Sequence, residues 1–202
     1  VLFALALYFS VVLTHPRVKF KRVLRMGLFF PYAINEVGVA FLWIFILNPQ
    51  FGLLNGSLRA LGLDRLAQPW LGSPGLALGS ITWGIIWMQI GFYVILLQAG
   101  IENISQDIFE AARIDGAGGF GLFRHITLPL LRPVLAVAVT YWMIQSLKIF
   151  GIAYALTRGA PAGKTHTIAT YVVSVAFPDK AMFRFGYGSA IAVLHFVLIV
   201  VL

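Results

Sequence analysis

Long apolar runs separated by shorter polar connections dominate the pattern of this chain. The first run ends near Leu13, the next cover about 27–47, 76–97 and 130–156, and the last starts near Tyr187. A helix of about 20 apolar residues crosses the roughly 30 Å hydrocarbon core of a bilayer and satisfies its own backbone hydrogen bonds there. The pattern therefore predicts an all-α, polytopic transmembrane helical bundle.

The composition agrees with this prediction. Hydrophobic residues make up 60% of the chain and charged residues 11%, and the mean hydropathy is +0.90. A soluble domain of this size carries far more polar surface. Val1 and Leu202 both lie within apolar runs. We therefore expect a single transmembrane domain over 1–202 that is truncated at both ends.

The basic residues predict the topology. The connection from His15 to Arg25 contains five Lys or Arg and no acid, which is typical of a cytoplasmic loop. Residues 48–75 and 157–187 are then external, and 99–129 is cytoplasmic. The net charge of +8 lies mostly in these connections, where it suits anionic lipid headgroups rather than nucleic acid. A short surface helix is expected at about 53–63.

Several sequence features argue against an enzyme. The chain has no Cys, and its four His have no metal-ligand spacing. Gly159–Thr165 is one residue short of a phosphate-binding loop, and Gly116–Gly121 follows a predicted helix where a dinucleotide fingerprint follows a strand. We therefore expect no catalytic residue, no metal and no ATPase site in this chain.

The polar connection at 99–129 predicts a helix–turn–helix. Ser105 is a suitable N-cap, and Asp107 suits the positive end of the helix dipole. A helix over 108–115 should end at Gly116, which tolerates a left-handed conformation. A second short helix is expected over 120–125.

One face of the first helix is suited to contact a partner protein. Ile108, Ala111, Ala112 and Asp115 lie at three- and four-residue spacings. Adjacent alanines form a shallow surface that fits a groove, and Glu110 offers a carboxylate to an arginine of the partner.

These residues resemble a known motif. Glu110-Ala-Ala is followed by three residues, Gly116, nine residues and Ile126-Thr-Leu-Pro129. This spacing resembles the EAA motif of binding-protein-dependent ABC importer permeases. Other segments resemble the carbohydrate-uptake branch of that family, of the maltose, trehalose and glycerol-phosphate type. They are Asn48–Asn55, Pro69–Gly72, Gly91–Tyr93, Ala99–Gly100, Ile114–Ala117 and Phe185–Tyr187.

The resemblance implies a type I importer permease subunit in a bacterial or archaeal cytoplasmic membrane, with a short cytoplasmic coupling helix. Residues 99–129 would contain this helix and are called the coupling segment below. Its partners would be ATP-binding cassette ATPase subunits, a second permease subunit, an extracytoplasmic solute-binding protein and membrane lipid. ATP-Mg would bind the ATPase, and this chain would bind no cofactor. The implied ATPase-coupling residues are Glu110, Ala111, Ala112, Asp115, Gly116, Ile126, Leu128 and Pro129.

A solute path is predicted from polar side chains within the spans. Ionisable groups there are functional candidates because their burial is costly, and aromatic and amide side chains suit a sugar. The alternative is interhelical hydrogen bonding, ion pairing and interfacial anchoring. The candidate set comprises Glu36, Gln89, Tyr93, Tyr141, Gln145 and Lys148.

Three questions stay open at this point. The solute is a sugar by resemblance, with a polyol or glycerol phosphate as the alternative within the same class. A gradient-driven secondary transporter is the alternative from another class. The sequence does not distinguish a homodimer from a heterodimer of permeases.

Overall fold

The computed structural model describes residues 1–15, 18–178 and 182–201, and these ranges contain helices and no strand. Pro16 and Arg17 of the basic connection lie outside the described residues. The prediction of an all-α fold is confirmed. The helices are α1 (Leu2–Thr14), α2 (Lys21–Ala33), α3 (Glu36–Ile46), α4 (Leu53–Ala60), α5 (Ala77–Glu102), α6 (Gln106–Ile114), α7 (Gly119–Leu122), α8 (Leu128–Leu130), α9 (Arg132–Leu147), α10 (Gly151–Thr157), α11 (Ile168–Ala176) and α12 (Phe185–Val201).

The chain divides into two compact units. The first unit contains Val1–Ala33 and Trp87–Trp142, and the second contains Ile34–Ile86 and Met143–Leu202. Helices α5 and α9 contribute residues to both units. The coupling segment belongs to the first unit.

Helix α5 is the clearest membrane span. Its 26 residues are long and apolar enough to cross a bilayer, and up to three spans result if α2 with α3 and Gly119–Leu130 with α9 each count as one bent span. The predicted spans at 27–47 and 130–156 are therefore interrupted. Helices α1 and α12 are shorter, with 13 and 17 residues.

Asn35 provides a physical reason for the first interruption. Its side chain accepts a hydrogen bond of 2.9 Å from the backbone N–H of Val37, which is the N-cap arrangement that Asn favours. A new helix therefore starts at Glu36, although the residues on both sides are apolar. The apolar run over 27–47, predicted as one span, is therefore divided between α2 and α3.

The first unit is held together along α5. Ser10 Oγ in α1 donates to the backbone carbonyl of Val94 at 3.0 Å. The backbone of α2 approaches α5 so closely that a Cβ on Gly91 would meet Leu28 O and lie 2.6 Å from Phe29 Cα. Glycine at 91 is therefore required by close helix packing.

The second unit contains two packed helix pairs, α3 with α10 and α11 with α12. Gly188 lies against α11, since a Cβ there would be 2.9 Å from Ala176 Cβ. The connection after α3 contains α4, which confirms the predicted short helix at about 53–63. Asn55 in α4 is 1% exposed and bonds to the later part of the same connection, accepting from Trp70 Nε1 at 2.8 Å.

Candidate functional site

The first half of the coupling segment folds as expected. Helix α6 covers Gln106–Ile114, and Ser105 Oγ accepts a hydrogen bond of 3.3 Å from the N–H of Asp107. The helix ends at Ile114, and Gly116, two residues later, has a φ of +85° in the left-handed region. The N–H of Ala117 then bonds to Ala112 O at 2.9 Å, which satisfies a terminal carbonyl. The predicted helix and its glycine stop are therefore present.

The motif residues of α6 are accessible. Glu110, Ala111, Asp115 and Gly116 are exposed, and Ala112 is half-buried. A face with two alanines and a carboxylate is thus open to a second protein.

Two large apolar side chains extend this accessible surface. Ile114 is 86% exposed and Phe120 is 75% exposed. The contact face predicted from the sequence did not include Ile114, which was cited only within a segment that resembles the family. The signal available in the sequence was an isolated apolar residue close to Gly116, where the helix was expected to stop.

The second half of the coupling segment differs from the prediction. Helix α7 ends at Leu122, and a π-helical turn over Phe123–Thr127 joins it to α8. Thr127 Oγ1 donates to Leu122 O at 3.3 Å, so a side chain bonds five residues back across this wider turn. The expected helix over 120–125 therefore continues through an irregular turn, of a kind often found at functional sites.

The remaining motif residues lie in and beside this turn. Ile126, Leu128 and Pro129 are half-buried. The helical stretch Gly119–Leu130 then bends by 65° before α9. These residues thus form the folded end of the coupling segment, whereas Glu110 and its neighbours form the exposed helix.

An ion pair holds the start of the coupling segment. Arg25 Nη2 in α2 donates to Glu102 Oε1 at 2.7 Å, and Gln98 Nε2 donates to the same oxygen at 2.9 Å. The two charged side chains are 38% and 50% exposed, whereas Gln98 is 2% exposed. Glu102 is therefore fixed from two helices immediately before α6 begins.

In the first unit, part of the predicted solute path lies in an aromatic cluster. Tyr93 is completely buried, and its ring centroid is 6.5 Å from that of Tyr141. Within the described part of the chain, Tyr93 Oη and Gln89 Oε1 are buried and have no hydrogen-bond partner. The rings around Tyr93 are those of Phe3, Phe92, Tyr141 and Trp142.

The second unit contains the other three path candidates. Lys148 is exposed and lies between α9 and α10, and Gln145 is half-buried near the end of α9. Glu36 Oε2 accepts a hydrogen bond of 3.2 Å from the N–H of Ile152. Glu36 and Lys148, both of which are described, form no ion pair with each other. The role of all six path candidates stays a prediction.

The loop that resembles a phosphate site has a different geometry. Gly159, Ala162 and Gly163 have positive φ, and a Cβ on Gly159 would meet the ring of His166. An aromatic ring therefore covers the first glycine of this loop. No group of three or more metal-ligating side chains occurs in residues 1–15, 18–178 and 182–201.

Comparisons with known proteins agree with this arrangement. Residues 3–202 match the family described as "Binding-protein-dependent transport system inner membrane component". The chain is 40% identical over 195 residues to the trehalose/maltose transport system permease protein MalF of Thermococcus litoralis, a match that covers 96% of this chain and 64% of the relative. It is 37% identical to the sulfoquinovosyl glycerol transport system permease protein SmoG of Agrobacterium fabrum, over 87% of this chain and 55% of the relative.

A solved structure has the same fold. It is the crystal structure of a bacterial alginate ABC transporter in complex with an alginate pentasaccharide-bound periplasmic protein. The match has a TM-score of 0.83 and 25% identity, and it covers 99% of this chain and 67% of that chain. The present chain spans less than two thirds of the length of both curated relatives. A family match over nearly the whole chain, on a helical fold with the complete EAA spacing, shows that this chain belongs to the inner-membrane components of binding-protein-dependent transport systems.

Proposed function

We propose that the full protein is the permease subunit of an ABC importer for sugars. The observation that carries this proposal is the EAA motif on an exposed, capped helix, joined to the membrane helices at both ends. The names of the relatives support sugars or sugar derivatives as the solute class, since they include trehalose, maltose, sulfoquinovosyl glycerol and diacetylchitobiose.

The coupling segment transmits the motion of a separate ATPase. Helix α6 docks through Ala111 and Ala112, whose small side chains allow close approach, and Glu110 pairs with an arginine of the ATPase. Ile114 and Phe120 add apolar contact area at the end of the docked helix. ATP-Mg binds the ATPase, and this chain contributes no nucleotide site. A short helix with fixed ends transmits a rigid-body displacement.

The solute passes along the polar and aromatic side chains within the spans. Tyr93, Tyr141 and Gln89 offer ring faces, hydroxyls and an amide in the first unit, and Gln145 and Lys148 offer polar groups in the second. This chemistry suits the apolar ring faces and hydroxyls of sugars. A polyol or glycerol phosphate is the second candidate solute, and direct binding of each solute class to the cognate solute-binding protein distinguishes them.

The remaining partners follow from the proposed class. An extracytoplasmic solute-binding protein delivers the solute, in line with the periplasmic protein in the alginate transporter complex. A second permease subunit completes the path, and the assembly is multi-pass in the cytoplasmic membrane. The basic residues in its connections contact anionic lipid headgroups.

Cross-linking tests the proposal, because the chain contains no native Cys. Ala112→Cys is introduced into the full-length protein in native membranes, with Ser57→Cys in the exposed part of α4 as the control. We expect Ala112→Cys to cross-link to a soluble ATP-binding protein with a yield that changes with ATP. The control should not.

A gradient-driven transporter predicts a different result. Uptake would then collapse with an ionophore and persist in Glu110→Lys, and Ala112→Cys would cross-link to no nucleotide-binding protein. That combination, with normal membrane insertion, would overturn the importer proposal.

A further inference from the structure

The carboxylate of Glu36 occupies the space next to Gly151 that a side chain at that position would need. A Cβ built on Gly151 would lie 2.5 Å from Glu36 Oε2 and 3.3 Å from Glu36 Cβ. Real Cβ atoms do not approach other atoms as closely as the first distance. Helix α3 therefore supplies a carboxylate at a position where α10 has none.

This carboxylate lies at a helix start that lacks a cap of its own. Phe150 is the N-cap residue of α10 and makes no side-chain capping hydrogen bond. The first N–H groups of a helix have no partner inside the helix, and an unsatisfied group away from water is costly. Glu36 Oε2 accepts from one of these groups, the N–H of Ile152, at 3.2 Å.

The break before α10 is also bonded on its other side. Thr167 Oγ1 donates to the carbonyl of Ile149 at 2.8 Å. The interruption between α9 and α10 thus leaves a donor, the N–H of Ile152, and an acceptor, the carbonyl of Ile149. Both bond to side chains from elsewhere in the second unit. The backbone groups next to the break are thus satisfied although it interrupts the helix.

We infer that Glu36 is a positioning residue whose carboxylate caps α10 in place of a side chain at Gly151. It holds α3 to α10 and stabilises the break between α9 and α10, next to Lys148. Its contribution to transport is to keep these elements in one arrangement, without contact to the solute. The inference rests on the proposed function only for its transport readout.

Two other roles for Glu36 make different predictions. A solute ligand would alter the solute concentration that gives half-maximal uptake, and a carboxylate at position 151 would not replace it. A partner for Lys148 would be replaced by a charge reversal of both residues. The capping role alone predicts that the carboxylate can be moved from residue 36 to residue 151.

The test is therefore a double-mutant cycle with Glu36→Ala, Gly151→Asp and their combination. The full-length protein is assembled with its partner subunits in lipid nanodiscs. We measure its apparent Tm and, in proteoliposomes, its maximal rate and half-saturating concentration of uptake. Glu36→Gln serves as the conservative variant because it keeps an acceptor oxygen.

We expect each of the two cycle variants alone to lower the apparent Tm, for Glu36→Ala because a charged hydrogen bond is lost. We also expect each of them to lose most of the maximal uptake rate. Glu36→Ala removes the cap, whereas Gly151→Asp forces two carboxylates into one space. The combined variant should recover most of both quantities, because the introduced carboxylate suits the N-terminal end of α10. Glu36→Gln should lie between wild type and Glu36→Ala.

A combined variant no better than Glu36→Ala, or a Gly151→Asp variant equal to wild type, would overturn the inference. A raised half-saturating concentration in Glu36→Ala with unchanged Tm would assign Glu36 to solute contact instead. If Glu36→Ala does not assemble, recovery of assembled complex in the combined variant supports the capping role, and its absence overturns it. If the wild type imports no solute, the proposed function fails, while the Tm values still decide the capping role.

Discussion

The side chain of Leu131 lies where a side chain on residue 100 would be. A Cβ built on Gly100 would come within 2.6 Å of Leu131 Cδ1 and 3.1 Å of Val134 Cγ2, and Leu131 is completely buried. Gly100 lies at the start of the coupling segment and Leu131 just after its end. The contact therefore closes the base of the segment, so that α6 is carried by two joined ends.

Gly100→Val should uncouple transport from ATP hydrolysis. The added side chain meets Leu131 and Val134, and overpacking of this kind costs about 1–3 kcal/mol. We expect normal membrane insertion, a loss of uptake and ATPase activity that no longer responds to solute. Gly79→Val is the matched control, because a Cβ on Gly79 in the same helix meets no atom within 4 Å. Equal uptake by the two variants would contradict the importance of the closed base.

Gly116→Val should also stop transport while leaving the spans intact. Gly116 has φ +85°, which a β-branched residue adopts only with strain of about 1–3 kcal/mol. The turn after α6 would then change direction, and the ATP-dependent cross-link of Ala112→Cys should disappear. Gly118→Val is the control, because Gly118 has φ −74° and ψ 172°. Uptake at the wild-type rate in Gly116→Val would count against coupling through this turn.

Exchanging the charges of Arg25 and Glu102 should restore most of the uptake that a single charge change removes. Glu102→Arg places two cations beside each other and leaves Gln98 without its acceptor, so we expect reduced uptake. The double variant Arg25→Glu, Glu102→Arg restores the opposite charges. An exposed pair contributes about 0–1 kcal/mol, so the stability effect should be small. The measurement is uptake at low and high salt, and a double variant as impaired as Glu102→Arg would show that the pair has no part in coupling.

Asn55→Leu should loosen the connection between α3 and α5. Asn55 Nδ2 donates to Gln68 O at 3.0 Å, and its oxygen accepts from Trp70 Nε1 at 2.8 Å. The change removes both hydrogen bonds, which contribute about 0.5–1.5 kcal/mol each. We expect faster proteolysis within 48–76 and a lower Tm of the assembled protein. Ser57→Leu, at an exposed position of α4, should change neither quantity.

Local sequence signals determined the first helix of the coupling segment and the short helix in the connection after α3. Ser105 and Gly116 predict the start and end of α6, because capping depends on a few neighbouring residues. The apolar run that became α5 predicts a span, because hydropathy over about 20 residues directly reflects the preference for lipid. The family motif depends on spacing alone and was complete in the sequence.

The tertiary structure decided where the other spans are interrupted. The apolar run over 130–156 gives no signal for the break before α10, which is bonded by Glu36 from 116 residues away. Likewise, nothing in the sequence predicts that Gly100 and Leu131 meet, and only their contact shows that the coupling segment has a closed base. Hydropathy and capping rules describe each residue with its neighbours along the chain. A break in a span or a close helix contact is stabilised by groups distant in sequence, so it is determined only when the helices pack.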